Sequence, residues 1–139
     1  MSVFEYNFEQ YKSLSPDLYR KEKYNLQVEL LKLQEDVIKK KRKIAICFEG
    51  RDTAGKSSTI NFFSEHLIPS NFNYVHLGIP TKKERKNWFE RYETYLPNKG
   101  QIVLFDRSWY TRALTEPTLG YCSKKQYEEF MTKVNKWEK

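Results

Sequence analysis

The chain has 139 residues, 39% hydrophobic, 16% aromatic and 31% charged, enough for one domain, and its nine Phe, ten Tyr and three Trp exclude a disordered tail. Twenty-five Lys and Arg against 18 Asp and Glu leave a formal charge of +7, which favours polyanionic partners: nucleic acid, nucleotides, polyphosphate or an anionic lipid surface. Cys47 and Cys122 follow no metal or redox spacing, no apolar run approaches the ~20 residues of a membrane span, and Met1–Gln10 has no signal-peptide core, so a cytoplasmic protein is expected.

Ser15-Pro16-Asp17 reads as a helix start, and from Leu18 the pattern turns helical. Leu26, Leu30, Leu33 and Val37 recur at steps of four and three, predicting one apolar face, and Glu35 and Lys39 are spaced for an i,i+4 pair. Five consecutive cations, Lys39 to Lys43, end that helix; such a run is a solvated face or a hold for a polyanion. Ile44–Phe48 is then a short apolar run of the kind that forms a strand buried on both faces. Residues 56–67 are helical again, and Tyr74–Leu77 is a weaker strand candidate. Thr81 and Glu84 have capping-box spacing and open a helix bearing Trp88, Phe89 and Tyr92, ended by Leu96-Pro97. Gln101–Phe105 is a second buried strand. Ser123 and Gln126 open a last helix with Tyr127, Phe130, Met131, Val134 and Trp137 on its apolar face. Strands alternating with helices give an α/β class with a parallel sheet, but only about three strands are found where such a domain has five or six.

Two stretches carry chemistry. Gly50-Arg51-Asp52-Thr53-Ala54-Gly55-Lys56-Ser57 matches the Walker A pattern at every fixed position, directly after a strand and opening a helix. The glycines let successive amides face one anion, the helix start adds its positive dipole end, Lys56 reaches the terminal phosphates, and Ser57 offers a hydroxyl to Mg²⁺. Asp52 inside the loop is unusual: a carboxylate beside phosphate reads as a second Mg²⁺ contact or a base, and otherwise as a turn residue. The strand Gln101–Phe105 ends in Asp106-Arg107-Ser108-Trp109-Tyr110, where an apolar strand closing on Asp is the Walker B arrangement for Mg²⁺. Arg107 and Arg112 follow it as guanidiniums suited to phosphoryl oxygens. Trp109 and Tyr110 stack a base or pack, and packing is the expectation. His66 and His76 have no partner pattern and read as structural.

Phe48-Glu49-Gly50-Arg51-Asp52-Thr53-Ala54-Gly55-Lys56, Val103-Leu104-Phe105-Asp106-Arg107-Ser108-Trp109-Tyr110 and the upstream helix Leu26–Gln34 together resemble the polyphosphate kinase 2 family. Pro80-Thr81, Glu84, Trp88, Arg91-Tyr92 and Leu96-Pro97 extend the similarity over about residues 18–137. The resemblance implies a P-loop kinase-like parallel sheet flanked by helices. It implies transfer of a phosphoryl group between inorganic polyphosphate and a nucleotide of the ADP/ATP or GDP/GTP type, with Mg²⁺; nucleic acid is then not the expected partner, and the lack of a long apolar run leaves no membrane partner expected. Asp52, Lys56, Asp106 and Arg107 would carry the chemistry. Gly50, Arg51, Thr53, Ala54, Gly55, Ser57, Ser58, Arg112 and Glu116 would complete the nucleotide and phosphate contacts, with Asp52, Ser57 and Asp106 at the metal. Thr111, Ser57-Ser58 and Pro117 depart from the family's usual residues.

In that family further strands and an arginine-bearing lid follow the last helix. The chain therefore reads as one domain, a helical extension over about 1–43 and a P-loop core over 44–139, without those C-terminal parts. Weak turnover alone, and a homo-oligomer or a partner that supplies the absent half, are expected. Two other readings are compatible with the loop: a thymidylate-kinase-like nucleotide kinase, and a truncated chain that binds nucleotide or polyphosphate without turnover.

Overall fold

A computed structural model describes residues 14–139; the reading of Met1–Gln10, and the first part of the helical extension, lie outside them. Three strands, β1 (Lys43–Phe48), β2 (Phe72–Val75) and β3 (Gln101–Asp106), form a parallel sheet in the order β1-β3-β2. Six helices accompany them: α1 (Pro16–Lys39), α2 (Lys56–Ser64), α3 (Lys82–Lys86), α4 (Glu90–Glu93), α5 (Thr115–Thr118) and α6 (Lys124–Trp137). The α/β class and the parallel sheet stand as expected, with β3 central and buried along Ile102–Asp106. β1 is less buried than a strand covered on both sides, because it pairs only with β3 and no described strand covers its other edge. The second strand lies two residues earlier than Tyr74–Leu77.

Ser15 caps α1, its Oγ accepting from the Leu18 amide, and Pro16 sits at the first helical position, where its missing N–H costs nothing. Of the apolar stripe only Val37 is fully buried. Leu26 and Leu33 are exposed, whereas Gln27, Gln34 and Val37 are buried. Gln34 explains the turn of the helix: its Oε1 accepts from the Ile68 amide at 2.6 Å and its Nε2 donates to the Ile68 carbonyl at 3.0 Å. Gln27 donates to Glu65 at 2.7 Å. A buried amide with both ends satisfied loses the penalty that keeps Gln at surfaces. Among the described residues the i,i+4 ion pair at this helix is Asp36 with Lys40, at 2.5 Å, rather than Glu35 with Lys39.

Two apolar clusters cover the sheet faces. Val37, Ile60, Ile102 and Leu104 join α1 and α2 to β3; Val75, Trp88, Tyr92, Val103, Phe105, Trp109, Phe130 and Val134 form an aromatic wall under α6. Alternating residues of β3 thus point to opposite faces, as a strand requires. The expected single helix over 81–96 is broken at Asn87–Phe89. Thr81 and Glu84 make the capping box, but Trp88 turns into the wall, its Nε1 donating to the Trp109 carbonyl at 2.9 Å. On α6 the Ser123–Gln126 capping box forms and Phe130 and Val134 are buried, while Met131 faces out. Trp109 and Tyr110 pack, and both donate to Glu138, at 2.7 and 2.6 Å. That carboxylate and burial push the Tyr110 hydroxyl up to about 12.

Candidate active site

The C-terminal ends of β1 and β3 place two loops side by side. Between β1 and α2 the chain turns through Gly50 and Gly55, and Gly55 is the left-handed residue (φ 86°) from which α2 starts. Thr53 shares that conformation (φ 63°) without being glycine. Asp52, Thr53, Ala54, Gly55, Ser57, Ser58 and Arg51 are all exposed along the loop and the first turn of α2. Lys56 folds back over the turn, its Nζ donating to the Gly50 and Arg51 carbonyls at 3.3 and 2.9 Å. The ammonium therefore sits above the curl rather than out in solvent.

Asp106 closes β3 and is buried at 4% exposure. Its Oδ2 accepts from Ser57 Oγ at 2.7 Å and from the Tyr74 hydroxyl at 3.1 Å, with His76 Nδ1 3.8 Å away. The expected Walker A serine and Walker B aspartate are thus in direct contact. Partial burial, and then the Asp106 carboxylate, raise the Tyr74 phenol above its ordinary value. Glu49 ties the two loops together: its Oε1 accepts from the Ser108 amide and hydroxyl, both at 2.7 Å. Arg107, left-handed at φ 66°, donates its amide to the Phe48 carbonyl, so β1 and the residue after β3 stay in register.

The two arginines after Asp106 part company. Arg107 meets Asp52 at 2.5 Å across the two loops and opens onto a cleft of about 540 Å³ with Asp52, Asp106, Arg85, Arg91 and Glu116 in its lining. Arg91 is fixed there by the Leu77 and Gly78 carbonyls, at 2.8 and 2.7 Å. Arg112 does not line that cleft. It is 1% exposed, lies 4.0 Å over the Trp88 ring, and pairs with Glu116 at 3.1 Å. Arg85 approaches the same carboxylate at 3.5 Å. Burial raises Glu116 above its ordinary value, with Arg112 and Arg85 opposing.

Asp52 and Asp106 line the same cleft, with Asp52 engaged by Arg107. Ser57 Oγ and Asp106 are hard oxygen donors of the kind Mg²⁺ takes, and this donor set fits that ion. No cluster of three His, Cys, Asp or Glu able to hold a metal occurs among the described residues, so a cation here would need phosphate and water as its other ligands. Sequence reasoning missed Tyr74 and His76. Both lie on one side at the end of β2, two residues apart, a period-2 signal in a short strand. Arg91 entered the sequence reading only within the family resemblance, and Arg85 not at all.

A model of the polyphosphate kinase 2 family matches residues 13–139. The chain belongs to the polyphosphate kinase 2 family. It is 48% identical over 121 residues to the GDP-polyphosphate phosphotransferase of Mycolicibacterium smegmatis, covering 86% of this chain and 43% of that one. It is 45% identical over 127 residues to the ADP-polyphosphate phosphotransferase of Pseudomonas aeruginosa, covering 91% and 42%. The chain thus spans less than half the length of these polyphosphate kinase 2 relatives. A crystal structure from Pseudomonas aeruginosa aligns with TM-score 0.82 at 28% identity, over 96% of this chain and 29% of that one. That of polyphosphate kinase 2 from Arthrobacter aurescens aligns with TM-score 0.80 at 20% identity, over 99% and 52%, a likeness of fold. Among the described residues no helix is long and apolar enough to cross a membrane.

Proposed function

We propose that this chain carries the phosphate- and metal-binding part of a polyphosphate:nucleotide phosphotransferase. The observation that carries the reading is the 2.7 Å contact of Ser57 with Asp106 under a Walker A loop whose lysine is curled over its own turn. Relatives named for GDP and for ADP match almost equally well, which leaves both nucleoside diphosphates as candidate substrates. Their names also favour polyphosphate over the nucleoside monophosphate that a thymidylate-kinase-like enzyme would take.

On this reading Lys56 leaves two neutral carbonyls for the anionic terminal phosphates, and Arg107 exchanges the exposed Asp52 carboxylate for a phosphoryl oxygen. Ser57 and Asp106 would hold Mg²⁺, which would supply charge neutralisation between phosphates. Tyr74 and Ser57 fix the orientation of the Asp106 carboxylate. Asp52, freed from Arg107, is the second carboxylate near the phosphates. The uncovered edge of β1 is where a second copy or a partner with the remaining strands would pair. The setting is cytoplasmic, with both cysteines free.

The test is phosphorylation of ADP and GDP by polyphosphate with Mg²⁺, joined to calorimetric binding of the same ligands. Lys56→Ala is expected to abolish binding with an unchanged circular dichroism spectrum, and Asp106→Asn to remove its dependence on Mg²⁺. Metal-independent binding that survives Lys56→Ala overturns the reading. Binding without turnover by the isolated chain selects the non-catalytic form of it, and the need for a partner is then tested by adding the C-terminal half of a relative.

A further inference from the structure

Beside Trp88, α3, the turn after it, α4 and α6 line a second and larger, half-open cavity of about 650 Å³. It shares Arg85 and Trp88 with the cleft. Arg112 stands in its wall, almost wholly buried, and the Arg112 Nη1 has no hydrogen-bond partner. Of the rest of that guanidinium, Nη2 donates to the Arg85 carbonyl at 3.1 Å, while Nε lies 3.1 Å from the Glu116 carboxylate but, like Nη1, makes no hydrogen bond. A buried donor left without an acceptor is costly, more so when it is charged.

Of the three carboxylates around this cavity, one is ion-paired and two accept only from neutral donors. Glu90 accepts from Asn87 at 2.8 Å, Glu93 from the Trp137 indole at 3.0 Å, and Glu129 pairs with Lys133 at 2.5 Å. Lys86 and Lys125, both exposed, have no carboxylate within 4.0 Å among the described residues. The lining cations, Arg85, Lys86, Arg112, Lys125 and Lys133, outnumber the lining carboxylates, Glu90, Glu93 and Glu129. Phe89, Phe130 and Trp137 supply apolar walls that strengthen a charge contact by lowering the local dielectric.

We propose that this cavity is a second oxyanion site for a phosphate-type group, separate from the P-loop, anchored by Arg112 with Lys86 and Lys125 on its rim. Two sources present that chemistry: phosphates further along a polyphosphate chain that passes Arg85 from the cleft, or a separate phosphate-bearing molecule. The first source rests on the function proposed above; the site does not.

The experiment titrates tripolyphosphate into ¹⁵N-labelled chain carrying Lys56→Ala and follows the indole N–H of Trp137, which lines this cavity and not the cleft. The amides of β1, none of which lines this cavity, are the internal control. A saturable Trp137 shift is expected, weakened more than about tenfold by Lys86→Glu with Lys125→Glu, two exposed positions that leave the fold intact. No Trp137 response into the millimolar range, or the same response in the double variant, overturns the site. In the chain with Lys56 intact, long polyphosphate binding more tightly than tripolyphosphate, with that gain lost in the double variant, assigns the polymer. An equal loss for both ligands assigns a separate molecule. Failure of the P-loop reading shows differently, as nucleotide binding indifferent to Lys56→Ala while the Trp137 response persists.

Discussion

Arg107–Asp52 and Arg112–Glu116 are both arginine–carboxylate pairs within a few residues of Asp106, yet they do opposite work. In the first, the Asp52 side chain is 90% exposed; in the second, Arg112 and Glu116 are 1% and 5% exposed. An exposed pair contributes roughly 0–1 kcal/mol and is easily traded for another partner. A buried pair contributes little net, but removing one member leaves an uncompensated charge at about 3–5 kcal/mol. Closeness in sequence to a functional aspartate therefore says nothing about role; the solvent around each pair decides it.

Breaking the buried pair should give the largest effect. Arg112→Met is expected to lower stability at neutral pH by about 3 kcal/mol in urea unfolding. The Glu116 carboxyl is already raised by burial, so folding favours its protonated form. Its contribution is fully present below its ordinary value of 4.5 and is lost as pH rises through the higher folded value. Removing Arg112 raises it further, so the deficit should be greatest at pH 7 and shrink on acidification. A deficit independent of pH would assign the loss to packing over Trp88 instead.

Arg107→Ala sharpens the contrast from the other side. Stability should change by less than about 1 kcal/mol, while calorimetric affinity for tripolyphosphate falls roughly tenfold or more. Unaltered affinity would remove Arg107 from the phosphate contacts. Tyr74→Phe deletes one of the two bonds to Asp106 Oδ2 and should cost about 1 kcal/mol, read as a small fall in melting temperature. It should also weaken Mg²⁺-dependent nucleotide binding more than metal-free binding, and equal weakening would leave Tyr74 a purely structural role. Asp52→Ala should be the mildest, shifting stability by a few tenths of a kcal/mol at most. A larger loss would show that the loop needs its ion pair to hold shape.

The same contrast explains what could be read from the residues alone. The P-loop, the strand before it and the two capping boxes are local patterns, and Ser15, Thr81, Ser123 and Gly55 stand where such patterns put them. The Ser57–Asp106 contact was legible as well, because strand ends in a parallel sheet converge. Arg112 was not. Its sequence position beside Asp106 suggests a phosphate ligand in the cleft, but the 3₁₀ turn over Trp109–Arg112 aims it beneath Trp88. The face of α1 was misread for a similar reason: hydrophobic periodicity cannot register a glutamine whose amide is satisfied by a backbone group 34 residues away. Long-range hydrogen bonds and the break at Asn87–Phe89 are tertiary outcomes, set by which aromatic ring finds the wall first.

The half-paired state of β1 has a consequence for how the protein can be watched in solution. Successive amides of a strand point alternately to its two sides, so those of Lys43–Phe48 that face β3 are held while their neighbours face outward. Hydrogen exchange should therefore run fast and slow at alternate residues of this one strand, against uniformly slow exchange along β3. Any chain that docks on that edge would silence the fast set and leave the slow set unchanged. The strand is thus a ready-made deuterium sensor of its own completion, able to register assembly residue by residue without a label being introduced.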